Sequence, residues 1–171
     1  MGIKQELERF AGQVGFTLAY LDETTSTNDV ARDPRYDAGA VVIAERQSRG
    51  RGQRGNSWSS SAGANLTFSV VLCPGFLEAA QQFYLSKAVS LAVCDTVESF
   101  GVRPQVKWPN DIYIDGRKVA GILIENDLAG NFLSRSVVGI GINVNQTEFD
   151  PALPNPTSLA VAAGRKLDRA E

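Results

Sequence analysis

Hydrophobic and polar positions divide the chain into runs of two periods. Residues 3–11 read as a short helix and VGFTLAY (14–20) as a strand. TSTNDVAR (25–32) is a turn leading into a helix that Ser26, Thr27 or Asn28 can cap. AVVIAE (40–45) is a continuous apolar run and predicts a buried strand; NLTFSVVL (65–72), rich in β-branched and aromatic residues, predicts another. The longest helix is expected over 78–100, where Leu85, Ala88, Val89, Ala92, Val93, Thr96 and Phe100 form one stripe and Gly101 ends the run. QVKW (105–108) and DIYI (111–114) are short strands separated by Pro109, and Asp115-Gly116 signals a hairpin into KVAGILIE (118–125). A polar turn at 126–131 leads into the strand FLSRSVVGIGINVN (132–145). The Pro-rich stretch 149–158 resembles a boundary, and SLAVAAGRKLDRAE begins a helix without a closing cap. This order predicts an α+β fold with a mixed, largely antiparallel β-sheet packed against helices.

Composition is that of an ordinary globular domain: 171 residues, 43% hydrophobic and 21% charged, with net charge −2. The charge is uneven, because four of the twelve arginines lie within residues 46–54. A cationic loop on an acidic body points to a small anionic ligand rather than to nucleic acid. No apolar run reaches the roughly 20 residues that cross a bilayer, and MGIKQELERFAG lacks the apolar centre of a secretion signal. Cys73 and Cys94 have no C-x-x-C spacing and are expected to be reduced core thiols of a cytoplasmic protein. There is no histidine, which excludes Ser-His-Asp and Cys-His nucleophiles and His-ligated zinc. An enzyme built from this chain works by positioning and by charge.

The arginine loop AERQSRGRGQRGNSW (44–58) contains a literal G-x-G-x-x-G. A dinucleotide-binding turn would need a helix after it and an acid about 20 residues on, and neither is present. The Walker pattern is absent, and one nearby aromatic is too few for an RNA-binding segment. Glycines let backbone N–H groups approach an anion and arginines donate in pairs to phosphate, so the loop reads as a lid over a phosphorylated ligand, mobile when empty. In KWPND (107–111), Lys107 suits a phosphate and Asp111 suits Mg²⁺ or a ribose hydroxyl; the plain alternative is a polar turn with a buried tryptophan. Lys118 is either a cation at the mouth of an apolar pocket or a surface residue lying along the strand. Gly121, Gly139 and Gly141 weaken their strands unless something approaches closely, and Asn143 and Asn145 carry amides able to read a base edge.

Taken together, S-T-N, Q-x-x-G-R-G-x-x-G-x-x-W, K-W-P-N-D, R-K-x-A-G-I-L-x-E and G-I-G-I-N-V occur in this order between residues 20 and 145. The combination closely resembles biotin protein ligase. The resemblance implies the class II synthetase-like, biotin–lipoate ligase catalytic fold over residues 1–171. It also implies a two-step reaction: biotin and MgATP give biotinyl-5′-AMP, and a lysine of a biotin carboxyl carrier protein then takes the biotinyl group. By motif position, Ser26, Thr27, Asn28 and Gln47 should bind the biotin head. Gly121, Ile122, Leu123, Gly139 and Gly141 should line its apolar chain. Gly50, Arg51 and Gly52 should form the lid, and Lys118 should meet the carboxylate and then the phosphate ester. Arg54, Lys107 and Asn110 belong to the ATP side, Trp58 is placed near adenine, Asn143 at the base edge, and Asp111 at Mg²⁺. Arg51, Lys118, Lys107 and Asp111 are the expected catalytic set. Gln53 stands where many relatives carry a second arginine. The resemblance also leads us to expect a truncated catalytic domain, without the helix-turn-helix of some relatives (hence no DNA binding) or the small C-terminal β-barrel, and with a homodimer possible through an edge strand. The alternatives within reach are a lipoate ligase and a non-catalytic module that binds biotin or its adenylate.

Overall fold

The computed structural model describes residues 2–170. Seven strands form one sheet: β1 (Leu18–Thr24), β2 (Val41–Gln47), β3 (Leu66–Leu72), β4 (Pro104–Lys107), β5 (Asp111–Ile114), β6 (Arg117–Ala129) and β7 (Phe132–Ile142). Their spatial order is β1-β2-β3-β7-β6-β5-β4. Only β1 and β2 run parallel; every other pair is antiparallel. Parallel neighbours need a crossover, and residues 25–40 supply it, carrying the short helix α2 (Thr27–Ala31). The other helices are α1 (Ile3–Val14), α3 (Phe83–Glu98) and α4 (Leu159–Ala163). The mixed, largely antiparallel α+β architecture read from the sequence is the one observed.

Register decides what each face can do. Ile43, Phe68, Ile140 and Ile122 are successive partners across β2, β3, β7 and β6, so they form one apolar row. That face packs against α3 through Val93 and Val97, together with Ile112, Ile114 and Leu159. The adjacent positions face the other way. Ser69, Gly139 and Leu123 make one row there, and Thr67, Gly141, Gly121 and Asp111 make the next. Further along, Val71 and Val137 pack with Val42, Ala31, Tyr36 and Ala40 beneath α2. The second face is therefore dry under α2 and polar or bare beside it.

Several boundaries differ from those expected, each for a local reason. The first strand begins at Leu18 rather than Val14, because α1 runs on to Val14 and Gly15 caps it in the left-handed conformation. The long helix starts at Phe83, after a 3-10 turn at Ala79–Gln81. Its buried residues are Ser90, Val93 and Val97, while Ala88, Ala92 and Thr96 of the expected stripe are exposed. The helix sits toward β4 and β5, which leaves Ala92 and Thr96 on an open groove over β3 and β7. The polar segment after residue 125 continues β6, since Asn126 and Asp127 pair across to Ser136 and Arg135, and only Gly130 and Asn131 turn. Asp115 and Gly116 both take positive φ, as a two-residue hairpin demands.

The C-terminal segment is not a boundary. Lys118 N–H donates to Asn155 O and Thr157 N–H to Lys118 O, both at 2.8 Å, so the Pro-rich stretch lies against β6. α4 is short and capped at both ends, by the Ser158 hydroxyl and by left-handed Gly164. Cys73 is exposed at the end of β3, not in the core; Cys94 is half-buried, and both are free thiols. Trp108, a candidate for burial, is 69% exposed and meets Phe83 edge-on.

Arg169 fastens the last residues to the sheet. Its guanidinium donates to both Glu45 oxygens at 2.9 and 3.0 Å and to Asn65 O at 3.0 Å, while Tyr20 donates to Glu45 as well. Burial pushes the Glu45 carboxyl up, but the bonds from Arg169 and Tyr20 outweigh it and hold the group below its usual range. A depressed carboxyl contributes stability above its unfolded pKa and loses it as pH falls through the folded value. Arg169→Ala should therefore cost about 1–3 kcal/mol at pH 7, with the gap to the parent narrowing below about pH 4. Thermal unfolding followed from pH 7 to pH 3 checks this; a gap that stays constant with pH would assign the loss to packing alone.

Candidate functional site

The open part of the second face is roofed by the arginine loop. Trp58 N–H donates to Gly50 O at 2.9 Å, Gly52 N–H donates to Asn56 O at 2.6 Å, and Arg51 bridges Ser57. The segment is thus a folded hairpin with a 3-10 turn at Gln53–Gly55, rather than an extended strap. Gly50 belongs to its outer side, where a Cβ would lie 2.3 Å from Trp58 O. Beneath the hairpin is a cavity of about 140 Å³. Its floor is the glycine rows. A Cβ at Gly141 would stand 2.3 Å from Trp58 Cε2, and one at Gly121 would stand 3.1 Å from Trp58 Cζ3. Trp58 therefore lies down on bare backbone, with its buried indole N–H lacking any protein partner.

One end of the cavity is a network of neutral groups. Ser26, Thr27 and Asn28 are buried at the start of α2. Gln47 Oε1 accepts from Thr27 N at 2.7 Å and from Thr27 Oγ1 at 3.1 Å. Ser69 Oγ lies 2.8 Å from Thr27 Oγ1 and 2.6 Å from Asn28 Oδ1, and Asn28 Nδ2 donates to Glu125 at 2.8 Å. Asn28 can sit so deep because Gly139 has no side chain: a Cβ there would be 2.3 Å from Asn28 Oδ1. Both ends of the Asn28 amide are engaged, so in this arrangement it braces its neighbours. The Ser26 hydroxyl is not used in capping and lines the cavity with Thr27 and Gln47.

Charge flanks this network on both sides, with Lys118 and Asp111 beside Gly121 and with Arg51 and Glu125 beyond Asn28. Lys118 Nζ is 2.7 Å from Asp111 Oδ1 and lies 5.7 Å over the Trp58 ring. Arg51 forks onto Glu125 at 2.9 and 2.8 Å and also reaches Asp29 at 2.8 Å. The Glu125 bonds raise the Arg51 pKa, against the effect of burial. Burial pushes Glu125 up, but Arg51 and then Asn28 overcome it and its carboxyl is held low. Arg54, in a left-handed conformation, Gly52 and Asn110 complete the lining, and Asn110 fixes itself by donating to Ile122 O at 3.0 Å.

Most expected site residues thus converge: Ser26, Thr27, Asn28, Gln47, Arg51, Gly52, Arg54, Trp58, Asn110, Asp111, Lys118, Gly121, Ile122, Leu123, Gly139 and Gly141 all line one cavity. Two do not. Asn143 is buried behind the sheet end, where it donates to Thr157 O at 2.9 Å and anchors the C-terminal segment. Lys107 is exposed and donates to Tyr113 OH at 2.9 Å, a bond that raises its pKa. The set overlooked Thr67, Ser69, Asp29 and Glu125. Strand alternation in NLTFSVVL signals the first two, since Thr67 and Ser69 share a face with Gly141 and Gly139; Glu125 closes the R-K-x-A-G-I-L-x-E motif itself.

The sequence profile of the Biotin/lipoate A/B protein ligase family matches residues 18–143, which contain every residue of the cavity. The chain belongs to this family. It is 36% identical over 176 residues to the bifunctional ligase/repressor BirA of Bacillus subtilis, covering 99% of this chain and 52% of that protein. It is also 36% identical over 162 residues to the biotin–[acetyl-CoA-carboxylase] ligase of Paracoccus denitrificans, covering 88% of this chain and 66% of that one. Among solved structures, the biotin protein ligase from Aquifex aeolicus in complex with biotin and ATP superposes with a TM-score of 0.76 at 34% identity, covering 90% of this chain and 63% of its own. The chain spans about half the length of the Bacillus relative.

The glycines of β6 and β7 are packing constraints, which a substitution can expose. Gly139→Ala should overpack the Asn28 network and destabilise the protein by about 1–3 kcal/mol. Urea unfolding measures this, and parent-like stability would show that Asn28 is free to move aside.

Proposed function

We propose that this chain joins the biotin carboxylate to the α-phosphorus of ATP, breaking the α–β phosphoanhydride bond and releasing pyrophosphate to leave biotinyl-5′-AMP, and then transfers the biotinyl group to a lysine of a biotin carboxyl carrier protein. The observation that carries the reading is the layout of the cavity: neutral donors and acceptors around Ser26, Thr27 and Gln47, a glycine floor beside them, and the Lys118–Asp111 pair at the end of that floor, with Arg51 held on the Asn28 side by Glu125 and Asp29. A ureido ring presents neutral N–H and C=O groups, which suit Ser26, Thr27 and Gln47. An aliphatic chain fits over Gly121 and Gly141, where Trp58 supplies an apolar wall. Lipoate would bring a dithiolane, which has nothing comparable to offer the amide and hydroxyl groups, so biotin is the better occupant.

The chemistry follows from charge. A carboxylate approaching a triphosphate meets a repulsion of about 4 kcal/mol at 4 Å for an effective dielectric near 20. Lys118 neutralises the carboxylate as it approaches the α-phosphorus, and we assign to Arg51 and Arg54, which line the same cavity, the charge that builds on phosphate oxygens. Lys107, on the exposed edge, is left to the outlying phosphates of ATP, and Asn110 to the nucleotide side. In the second step the acceptor amine attacks the carbonyl of the mixed anhydride, the C–O bond to phosphate breaks, and AMP leaves. No nucleophile from the protein is required, in keeping with the absence of histidine.

Among the described residues no group of three acidic, His or Cys side chains could cage a metal ion. Mg²⁺ nonetheless fits, since it is commonly held by one or two carboxylates plus substrate phosphates. Asp111 would hold it here, and the ion would supply neutralisation of the phosphates. No helix among the described residues is long and apolar enough to cross a membrane. We place the protein in the cytoplasm, where ATP and carrier proteins meet, and two free cysteines accord with that.

Labelled biotin and MgATP should yield an acid-labile adenylate, and the label should pass to an added carrier domain. Lys118→Ala should slow adenylation at least about tenfold, within the range for loss of one preorganised donor. No adenylate from the parent chain would leave a binding module, and tighter binding of lipoate than of biotin by calorimetry would exchange the substrate.

A further inference from the structure

The crossover that carries Ser26, Thr27 and Asn28 is gripped by a side chain of β7. α2 has five residues, too few to persist unsupported, and it ends on Arg32 in the right-handed conformation, without the glycine that usually closes a helix. The carbonyls at and beyond that end are taken up from outside. Arg135 Nη2 donates to Ala31 O at 2.8 Å, to Tyr36 O at 2.7 Å and to Asp33 O at 3.3 Å. Arg135 stands opposite Asp127 of β6, yet it forms no ion pair with that or any other carboxylate among the described residues. Its buried Nε is left without a partner. The guanidinium thus forgoes an acid and one of its own bonds to hold backbone oxygens. Strand alternation puts Arg135, Val137 and Gly139 on one face of β7. Val137 packs with Ala31 and Tyr36, and Gly139 receives the Asn28 amide. One strand therefore seats both ends of the helix, the amide end on a missing side chain and the carbonyl end on a long one.

We propose that Arg135 is a positioning residue for the neutral end of the cavity: by gathering the carbonyls of Ala31, Asp33 and Tyr36 it fixes where α2 lies along β7, and so where Ser26, Thr27 and Asn28 stand relative to Gln47 and Ser69. Thr27 bonds Gln47 at 2.7 Å and Asn28 bonds Ser69 at 2.6 Å, so a small shift of the helix breaks the set. Arg135 lines no part of the cavity and touches no reacting atom. A guanidinium suits the task because its rigid fork of donors holds several acceptors at once, which an ammonium on a flexible stem does less well. That the set holds biotin rests on the function proposed above; that Arg135 seats α2 does not.

Arg135→Met keeps an unbranched stem and removes the donors. In that variant amide hydrogen exchange over residues 26–36 should quicken about tenfold, while β3 and the rest of β7 exchange as in the parent. KM for biotin should rise about tenfold, with kcat and KM for ATP held within about twofold, the pattern of lost binding rather than lost chemistry. Arg135→Lys, which keeps the charge and some of the donors, should recover part of both. Parent-like exchange over 26–36 in the folded variant would overturn the proposal. So would quickened exchange with a parent-like KM for biotin, or a rise in exchange spread evenly over the sheet, which would mark Arg135 as a general contributor to stability. Should Arg135→Met not fold, the same readings on Arg135→Lys decide. A parent chain that neither binds nor activates biotin would instead overturn the proposed function, and exchange over 26–36 would still decide whether Arg135 seats α2.

Discussion

A β-sheet covers its own backbone with side chains, so anything that must lie against it can do so only where strands omit them. Here the omission falls at Gly139, Gly141 and Gly121, on adjacent rows of β7 and β6 and on one face. Asn28 descends onto the first and Trp58 onto the other two. The depth of the cavity, the burial of the α2 start and the position of the hairpin all follow from that bare strip. Glycine in strand interiors is ordinarily a loss, since it costs backbone entropy and contributes no packing. The surrounding strands offset this with dense valine and isoleucine packing on the opposite face.

The same strip separates two electrostatic regimes. On one side, donors and acceptors satisfy one another through Gln47, Thr27, Ser69 and Asn28 without any net charge. On the other, Lys118 is matched by Asp111, whereas Arg51 with Glu125 and Asp29 lies beyond Asn28, next to the hydroxyl network. Asn28 ties the Arg51 cluster to that network, because its one amide bonds both Ser69 and Glu125. A cavity in which two of the three lining cations, Arg51 and Lys118, are already partnered discriminates among anions. An incoming anion must bring enough favourable contact, or its own counter-ion, to displace a carboxylate. That requirement favours a ligand gripped by its neutral head as well, over a bare phosphate.

Much of this arrangement was legible in the sequence because the motifs are local and their order is fixed. S-T-N, the arginine loop, Asp111, Lys118 and the alternating glycines each mark a strand end or a strand face, and the antiparallel pairing of β3, β7 and β6 gathers them. What sequence could not give was direction. Asn143 and Lys107 sit at strand ends like their neighbours, yet one turns inward to Thr157 and the other outward to Tyr113. The Pro-rich segment looked like a break because its hydrogen bonds go to β6, far away in sequence. The α3 stripe was misjudged by about one position, since a helix with small residues such as Ala88, Ser90 and Ala92 on several sides is oriented by what it packs against. Glu125 escaped notice for a similar reason: its partners Asn28 and Arg51 lie 97 and 74 residues away.

The opposite face shows why the site is where it is. Leu66, Phe68, Val70 and Leu72 point away from the cavity, toward an apolar groove alongside α3. A groove of that kind can hold hydrocarbon but has almost no polar atom with which to orient it. Because strand residues alternate, the substitution of Thr67 and Ser69 into β3 places hydroxyls on only one side, and glycines at matching registers of β7 open that same side. The two choices reinforce each other only in this register; a slip of one residue would send the hydroxyls into the α3 core and the glycines beneath it. Specificity at the cavity and stability of the core are therefore set by the same alignment of β3 with β7, and neither can be altered without the other.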